Sequence, residues 1–184
     1  MIPIYLDPQS VRIALIGRGA LAVRRLQWLQ QGAAAPDIWS DEPSEALIAA
    51  SDNRLLRRLP TAAELRDYQA IWIADLPHER AELIANAARA AGVLVNVEDV
   101  VEHCDFHTPA VVRRGRLTLT AGTGGASPAV ARAARERLEQ AFPPAWESAL
   151  EDIARARIEL RRRNAGFDAL VSDARDRLAA HGLS

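Results

Sequence analysis

The chain contains no lysine: all 23 of its basic residues are arginine. That absence excludes a lysine Schiff base or a lysine nucleophile. The bias itself reads as genome composition. There is a single cysteine, Cys104, so an intramolecular disulfide and an all-cysteine zinc site are both excluded. No run approaches about 18 uninterrupted apolar residues, so no transmembrane helix is expected. The opening MIPIYLDPQS lacks a basic segment and a long apolar stretch, and so does not read as a signal peptide. Net charge is only -1, and nothing global argues for a nucleic-acid or membrane partner. There is no internal repeat and no low-complexity linker. The expectation is a soluble cytoplasmic protein.

What is present is an ordinary globular balance, 49% apolar and 26% charged, over 184 residues. That is enough for one sizeable domain or a domain with an appendage. The chain is organised around Val11 to Arg25, VRIALIGRGALAVRR. Ile13 to Ile16 reads as a short buried strand. Gly17-Arg18-Gly19-Ala20-Leu21-Ala22 follows as G-x-G-x-x-A, and Leu21 to Gln31 as an amphipathic helix stopped by Gly32. In such a turn the first glycine allows the sharp bend. The second lets a pyrophosphate approach the backbone, and the small third residue lets helix pack on strand. The helix N-terminus then offers N–H groups to the anion. A purely structural turn remains the competing reading.

Asp37 to Ser40 is expected as a second strand, with Asp41 and Glu42 at its C-terminal end. An acid about 20 residues beyond the first glycine binds the adenosine ribose in a dinucleotide-binding unit. Asp41 fits that place, and equally fits a cap for a helix over 43–50. Asn53 to Leu59 is a weaker strand because it carries three arginines. Ala70 to Ala74 (AIWIA) is a buried strand, Pro77 to Ala91 a helix, and Val93 to Val97 a further strand. Strands alternating with helices predict a parallel sheet covered on both faces. The fold class is therefore α/β: a Rossmann-like nucleotide-binding domain over residues 1–106. Residues 107–141 follow as a small β insertion and helix, of the kind that builds a dimer interface. Residues 142–184 form a C-terminal helical tail. Within the insertion, Thr108 to Arg113 and Arg116 to Ala121 pair as strands. Ser127 with Pro128 behind it starts a helix. Ile2 to Leu6 is expected to be an edge strand or a flap.

Glu98 and Asp99 leave the C-terminal end of a parallel strand, where open α/β sheets place ligands. Both are candidates for a general base, set against ordinary solvated loop acids. His103, Cys104 and His107 lie close by. A metal cluster would need two further ligands at suitable spacing, and this stretch supplies none, so no metal site is expected. Ser127 has no visible Ser-His-Asp partners. Arg113, Arg114 and Arg116, with Arg132 and Arg135, suit the carboxylates of a polyanionic small molecule or simply a solvated surface.

Several stretches together resemble one family, the precorrin-2 dehydrogenase/sirohydrochlorin ferrochelatases that form the N-terminal half of siroheme synthase and its stand-alone relatives. IPIYLD resembles the family's opening, and IALIGRGALAVRR its glycine loop and helix. LVNVEDVVEHCDFHTPAVVRRGRLTLTAGTGGASPAVARAARERLE resembles its N-V-x-D, C-x-F-x-x-P-A and G-G-x-S-P motifs. The resemblance runs over about residues 2 to 140.

The resemblance implies NAD-dependent oxidation of precorrin-2, a reduced tetrapyrrole with carboxylate arms, to sirohydrochlorin. Asp99 would be the catalytic acid/base. Gly17, Arg18, Gly19, Ala20, Leu21, Asp41, Glu42, Ala74 and Asp75 would line the NAD. Asn96, Arg113, Arg114, Thr123, Gly124, Gly125 and Ser127 would face the substrate. It also implies a homodimer in which each cleft uses both chains, and, in bifunctional members, insertion of Fe2+ as a chelatase substrate. The acids at 41 and 42 disfavour a 2′-phosphate and point to NAD rather than NADP.

The chain departs from the family pattern at four places: Arg18 for a glycine, Asp75 for a threonine, Ala81 for an asparagine, and Gly122 for a serine. Three of these lie on the nucleotide side. Alternative readings are a ferrochelatase without dehydrogenase activity, or a non-catalytic tetrapyrrole- or nucleotide-binding protein.

Overall fold

The computed structural model describes residues 1–183. They form two compact units, Met1–His107 and Thr108–Ser184. In the first unit the elements are β1 (Ile13–Gly17), α1 (Ala20–Gln31), β2 (Asp37–Trp39), α2 (Glu45–Ala50), β3 (Leu55–Leu56), α3 (Ala62–Leu65), β4 (Ala70–Ala74), α4 (His78–Ala90) and β5 (Leu94–Val97). The strands lie in the order β3-β2-β1-β4-β5, and every neighbouring pair is parallel.

This order follows from burial. The central strands β1 and β4 are buried at every position, as strands covered on both faces must be. Alternation along β1 sends Ile13 and Leu15 to one face, with Ala22, Leu26 and Leu29 of α1. Ala14 and Ile16 go to the other, with Ala81, Ile84, Ala85 and Ala88 of α4. One helical layer thus covers each face. β3 is cut to two residues because Arg54, Arg57 and Arg58 crowd it. Arg58 turns outward to lie over the Trp39 ring, 4.7 Å from its centroid, and pairs with Glu64. The lead-in Ile2 to Leu6 carries no strand, contrary to the edge-strand expectation. Pro3 has no N–H for a ladder, and Ile2, Ile4 and Tyr5 stand exposed.

The second unit holds the antiparallel pair β6 (Ala110–Arg114) and β7 (Leu117–Ala121), then α5 (Pro128–Ala141), α6 (Ala145–Arg162) and α7 (Phe167–Ala180). The strand pair and all three helices pack as one unit, where the sequence suggested a division at 141. The two-residue turn of the strand pair needs Gly115, whose φ is +56. Arg177 of α7 donates to Asp152 of α6 at 2.9 Å and clasps the helix pair. Among the described residues of this unit only Val112, Ala149 and Leu170 are buried apolar residues, a thinner core than that of the sheet.

Candidate functional site

The C-terminal ends of β1 and β4 are neighbours, with Gly17 in register with Ala74. α1 leaves β1 toward one face and α4 leaves β4 toward the other, so a crevice opens at this switch point. The glycine loop sits there. A Cβ on Gly17 would collide with the Ala74 carbonyl oxygen and lie 2.8 Å from the Ala22 Cβ. A Cβ on Gly19 would lie 2.9 Å from Asp75 Oδ2. Packing of helix and strand therefore accounts for Gly17 before any ligand is considered, and the Asp75 side chain for Gly19.

Asp75 follows β4 with φ +56, a left-handed conformation that aspartate tolerates better than most side chains. Its Oδ2 accepts from the backbone N–H of Leu21 at 2.6 Å and of Ala22 at 3.1 Å. α1 has no cap from its own N-terminal residue Gly19. A carboxylate from the neighbouring strand caps it instead, on the groups a pyrophosphate would use.

Arg18 folds toward the end of β2. Its Nε and Nη2 donate to the two oxygens of Asp41 at 2.8 and 2.7 Å, and Nη1 lies 2.7 Å from Glu42. That two-pronged bond holds the Asp41 carboxyl below the usual carboxylate range and raises the guanidinium. Arg18, expected to line the NAD, here binds Asp41 and Glu42, the acids expected at the ribose. The helix that follows is capped by Ser44, whose hydroxyl accepts from Leu47, so Asp41 is not the cap.

The fit to a dinucleotide can be judged on these contacts. The strand order, the two glycines and the acids after β2 fit. The first turn of α1 fits once Asp75 leaves its amides.

At the end of β5 the two candidate bases separate. Glu98 is nearly buried between Arg25, which lies against it, and Arg24 at 3.0 Å, so it is spent in a structural ion pair. The arginines come from α1, a partnership the sequence gave no periodic signal for. Asp99 is exposed, with φ +63, and makes no hydrogen bond or ion pair among the described residues. Its turn is fixed from beneath. The Cys104 thiol bonds the carbonyls of Val97 and Val100 at 3.2 and 3.3 Å, and burial pushes that thiol up. Asp105 takes the N–H of Val95 on its side chain and gives its own N–H to the Val95 carbonyl. Phe106 packs edge-on to Trp72 at 4.9 Å.

Asn96 also belongs to this scaffold. Its amide donates to the Phe106 carbonyl at 2.8 Å and it is buried. In this structure the side chain supports the loop. Arg114 is likewise engaged within the chain: its guanidinium donates to the carbonyls of Phe142, Arg113 and Glu139 at 2.7, 2.9 and 3.4 Å and closes the end of α5. Arg113 reaches Thr118 at 3.4 Å.

In the same unit Thr123 Oγ1 bridges the N–H and carbonyl of Ser127, both at 3.2 Å. Gly124 and Gly125 adopt φ +66 and +83 between them. The Ser127 hydroxyl accepts from Val130 and caps α5, as its spacing predicts.

A wholly parallel sheet of this order, with a glycine turn at its switch point, defines the dinucleotide-binding class of α/β domain. Residues 4–110 match the model of a family described as "Putative NAD(P)-binding". The chain is 32% identical over 165 residues to a siroheme synthase of Methylococcus capsulatus, covering 88% of this chain and 34% of that protein. It is 30% identical over 171 residues to that of Nitrosococcus oceani, covering 91% and 36%. A solved structure titled "SirC, precorrin-2 dehydrogenase" shares the fold at TM-score 0.72 and 20% identity, over 96% of this chain and 88% of that one. The chain belongs to this NAD(P)-binding family, the precorrin-2 dehydrogenase/ferrochelatase family its motifs resemble. It spans about a third of the length of the curated relatives it matches.

Proposed function

We propose that the chain oxidises precorrin-2 to sirohydrochlorin with NAD, using Asp99 as the acid/base. The observation that carries this reading is the contrast at the end of β5: Glu98 is locked by arginines, while Asp99 stands free on a fixed turn at the ligand edge of the sheet. Bound NAD supplies the hydride acceptor.

The chain's own residues do the rest. Gly17, Gly19, Ala20 and Leu21 bring the backbone to the pyrophosphate, and Asp75 yields the Leu21 and Ala22 amides to it. Ala74 closes the crevice wall, and Asp41 and Glu42 with Arg18 meet the ribose. The Asp99 carboxylate takes the proton released as hydride leaves the substrate. Arg113, with the loop of Thr123, Gly124, Gly125 and Ser127, meets the substrate's carboxylate arms. The thin core of the second unit supports a homodimer, because three buried apolar residues among those described make a poor core for a unit of this length.

The test is turnover: purified chain, precorrin-2 and NAD, followed by NADH and sirohydrochlorin absorbance. NADH forming in step with sirohydrochlorin is expected. No NADH would overturn the reading.

The Asp75 cap favours a second reading, a ferrochelatase that inserts Fe2+ without NAD, since a carboxylate already fills the pyrophosphate place. Metal insertion into supplied sirohydrochlorin, with no NAD-dependent turnover, is the outcome that selects it.

A further inference from the structure

His78 and Glu82 lie four residues apart on α4 and share one face of that helix. His103 ends the 3-10 turn Val101–His103 that follows β5. The fold brings the three together. Each offers one ligand atom, and those atoms all lie within 4.8 Å of one another. The two imidazole rings are 5.6 Å apart, tilted by 35°. Sequence spacing pointed away from a metal here, because the missing ligands to His103 lie a strand and a helix earlier. They become neighbours only when β5 lies beside β4.

We infer that His78, Glu82 and His103 form a binding site for a divalent first-row transition ion. Two imidazole nitrogens and one carboxylate oxygen form a borderline donor set that suits Zn2+, Co2+ or Fe2+, and not the all-oxygen preference of Mg2+ or Ca2+. Three protein ligands leave at least one position open. Ligand atoms around such an ion stand about 3–3.5 Å apart, given bonds of about 2.0–2.2 Å. The observed spread closes by small rotations of side chains that are exposed or half-exposed.

Two further observations favour a site over a chance cluster. In an arginine-rich chain where Glu64, Glu98, Asp105 and Asp152 all pair with arginine, the Glu82 side chain has no ion-pair or hydrogen-bond partner among the described residues, and neither histidine side chain has one. The backbone that carries the donors is also fixed. His78 opens a thirteen-residue helix, and the His103 N–H donates to Val100 at 3.0 Å, directly beside the Cys104 clamp. An ion here sits four residues from Asp99 along the chain, on the same edge of the sheet. The inference does not depend on NAD or tetrapyrrole chemistry.

The test is titration of the purified full chain with Co2+, read by its visible absorption bands, and with Zn2+ by calorimetry. One equivalent is expected to bind. His78→Ala, His103→Ala and Glu82→Gln should each weaken it about tenfold or more. His107→Ala and His181→Ala, the chain's other two histidines, should leave it unchanged. Circular dichroism of each variant checks that the fold is retained. No binding by the unmodified chain would overturn the inference. So would equal weakening by the His107 and His181 variants, or no weakening by the cluster variants.

Discussion

Two places on the same edge of the sheet have opposite designs. At the end of β1 the main polar groups that would greet a nucleotide already have partners within the chain: Asp75 on the Leu21 and Ala22 amides, and Arg18 on Asp41 and Glu42. At the end of β5 the scaffold is equally well bonded, through Cys104, Asp105 and Asn96, yet the one reactive carboxylate it carries is left free. Self-satisfied groups are rigid, and a ligand must displace them. A free group on a rigid turn is available at once. The glycine loop, the most conspicuous motif of the sequence, is thus the less ready half of the site.

The largest effect expected on this contrast comes from Asp99→Asn. Asparagine tolerates the left-handed backbone but cannot take the proton, so kcat for precorrin-2 oxidation should fall about 10²–10⁴-fold. The unfolding midpoint should not move, because the Asp99 side chain makes no hydrogen bond or ion pair among the described residues. Near-normal turnover would remove Asp99 from the mechanism.

Gly17→Ala comes next. It drives a methyl into the Ala74 carbonyl, and urea unfolding should show a loss of about 3 kcal/mol with or without NAD. A neutral effect would mean that the loop's glycine serves ligand approach alone.

The absence of lysine leaves the range from pH 10 to about 12 unusually clean. There Tyr68, pushed up to about 12 chiefly by burial, titrates beneath the nucleotide half. Its hydroxyl accepts from Trp39 and donates to Asp37 at 3.0 Å. A raised folded-state pKa means this contribution is complete below pH 10 and is lost as pH rises through about 12, up to about 2 kcal/mol. Tyr68→Phe should flatten that part of the stability profile.

The smallest effect is expected from Asp75→Asn, which keeps the left-handed turn and an oxygen for the α1 amides but removes the charge. NAD affinity by calorimetry should rise about tenfold, roughly 1.4 kcal/mol. Unchanged affinity would show that Asp75 already swings aside without penalty. Threonine, the residue the family pattern has here, is the poorer probe, because a branched Cβ is strained at φ +56.

Much of this was legible in the residues. The runs IALIG and AIWIA, apolar at nearly every position, fixed two central strands of a parallel sheet. Ser127 before Pro128 fixed the start of α5, and N-V-x-D placed Asp99 at a strand end. These are local signals, because burial on both faces and helix capping act within a few residues. The fate of the charged groups was not legible. Glu98 and Asp99 are adjacent acids with the same sequence environment, and only the arrival of Arg25 from α1 tells them apart. Arg114 looked like an anion binder until the end of α5 placed two carbonyls around it, beside that of Arg113.

The sequence by itself therefore determined the parallel sheet, the alternation of strands and helices along the chain, and the family. All of these rest on hydrophobic periodicity and short motifs. Only the tertiary structure decided which polar groups are spent and which are free, and that His78 and Glu82 meet His103. The physical reason is reach. A charge or an imidazole chooses its partner by distance in space, and residues far apart in the chain become neighbours only when β1, β4 and β5 lie side by side.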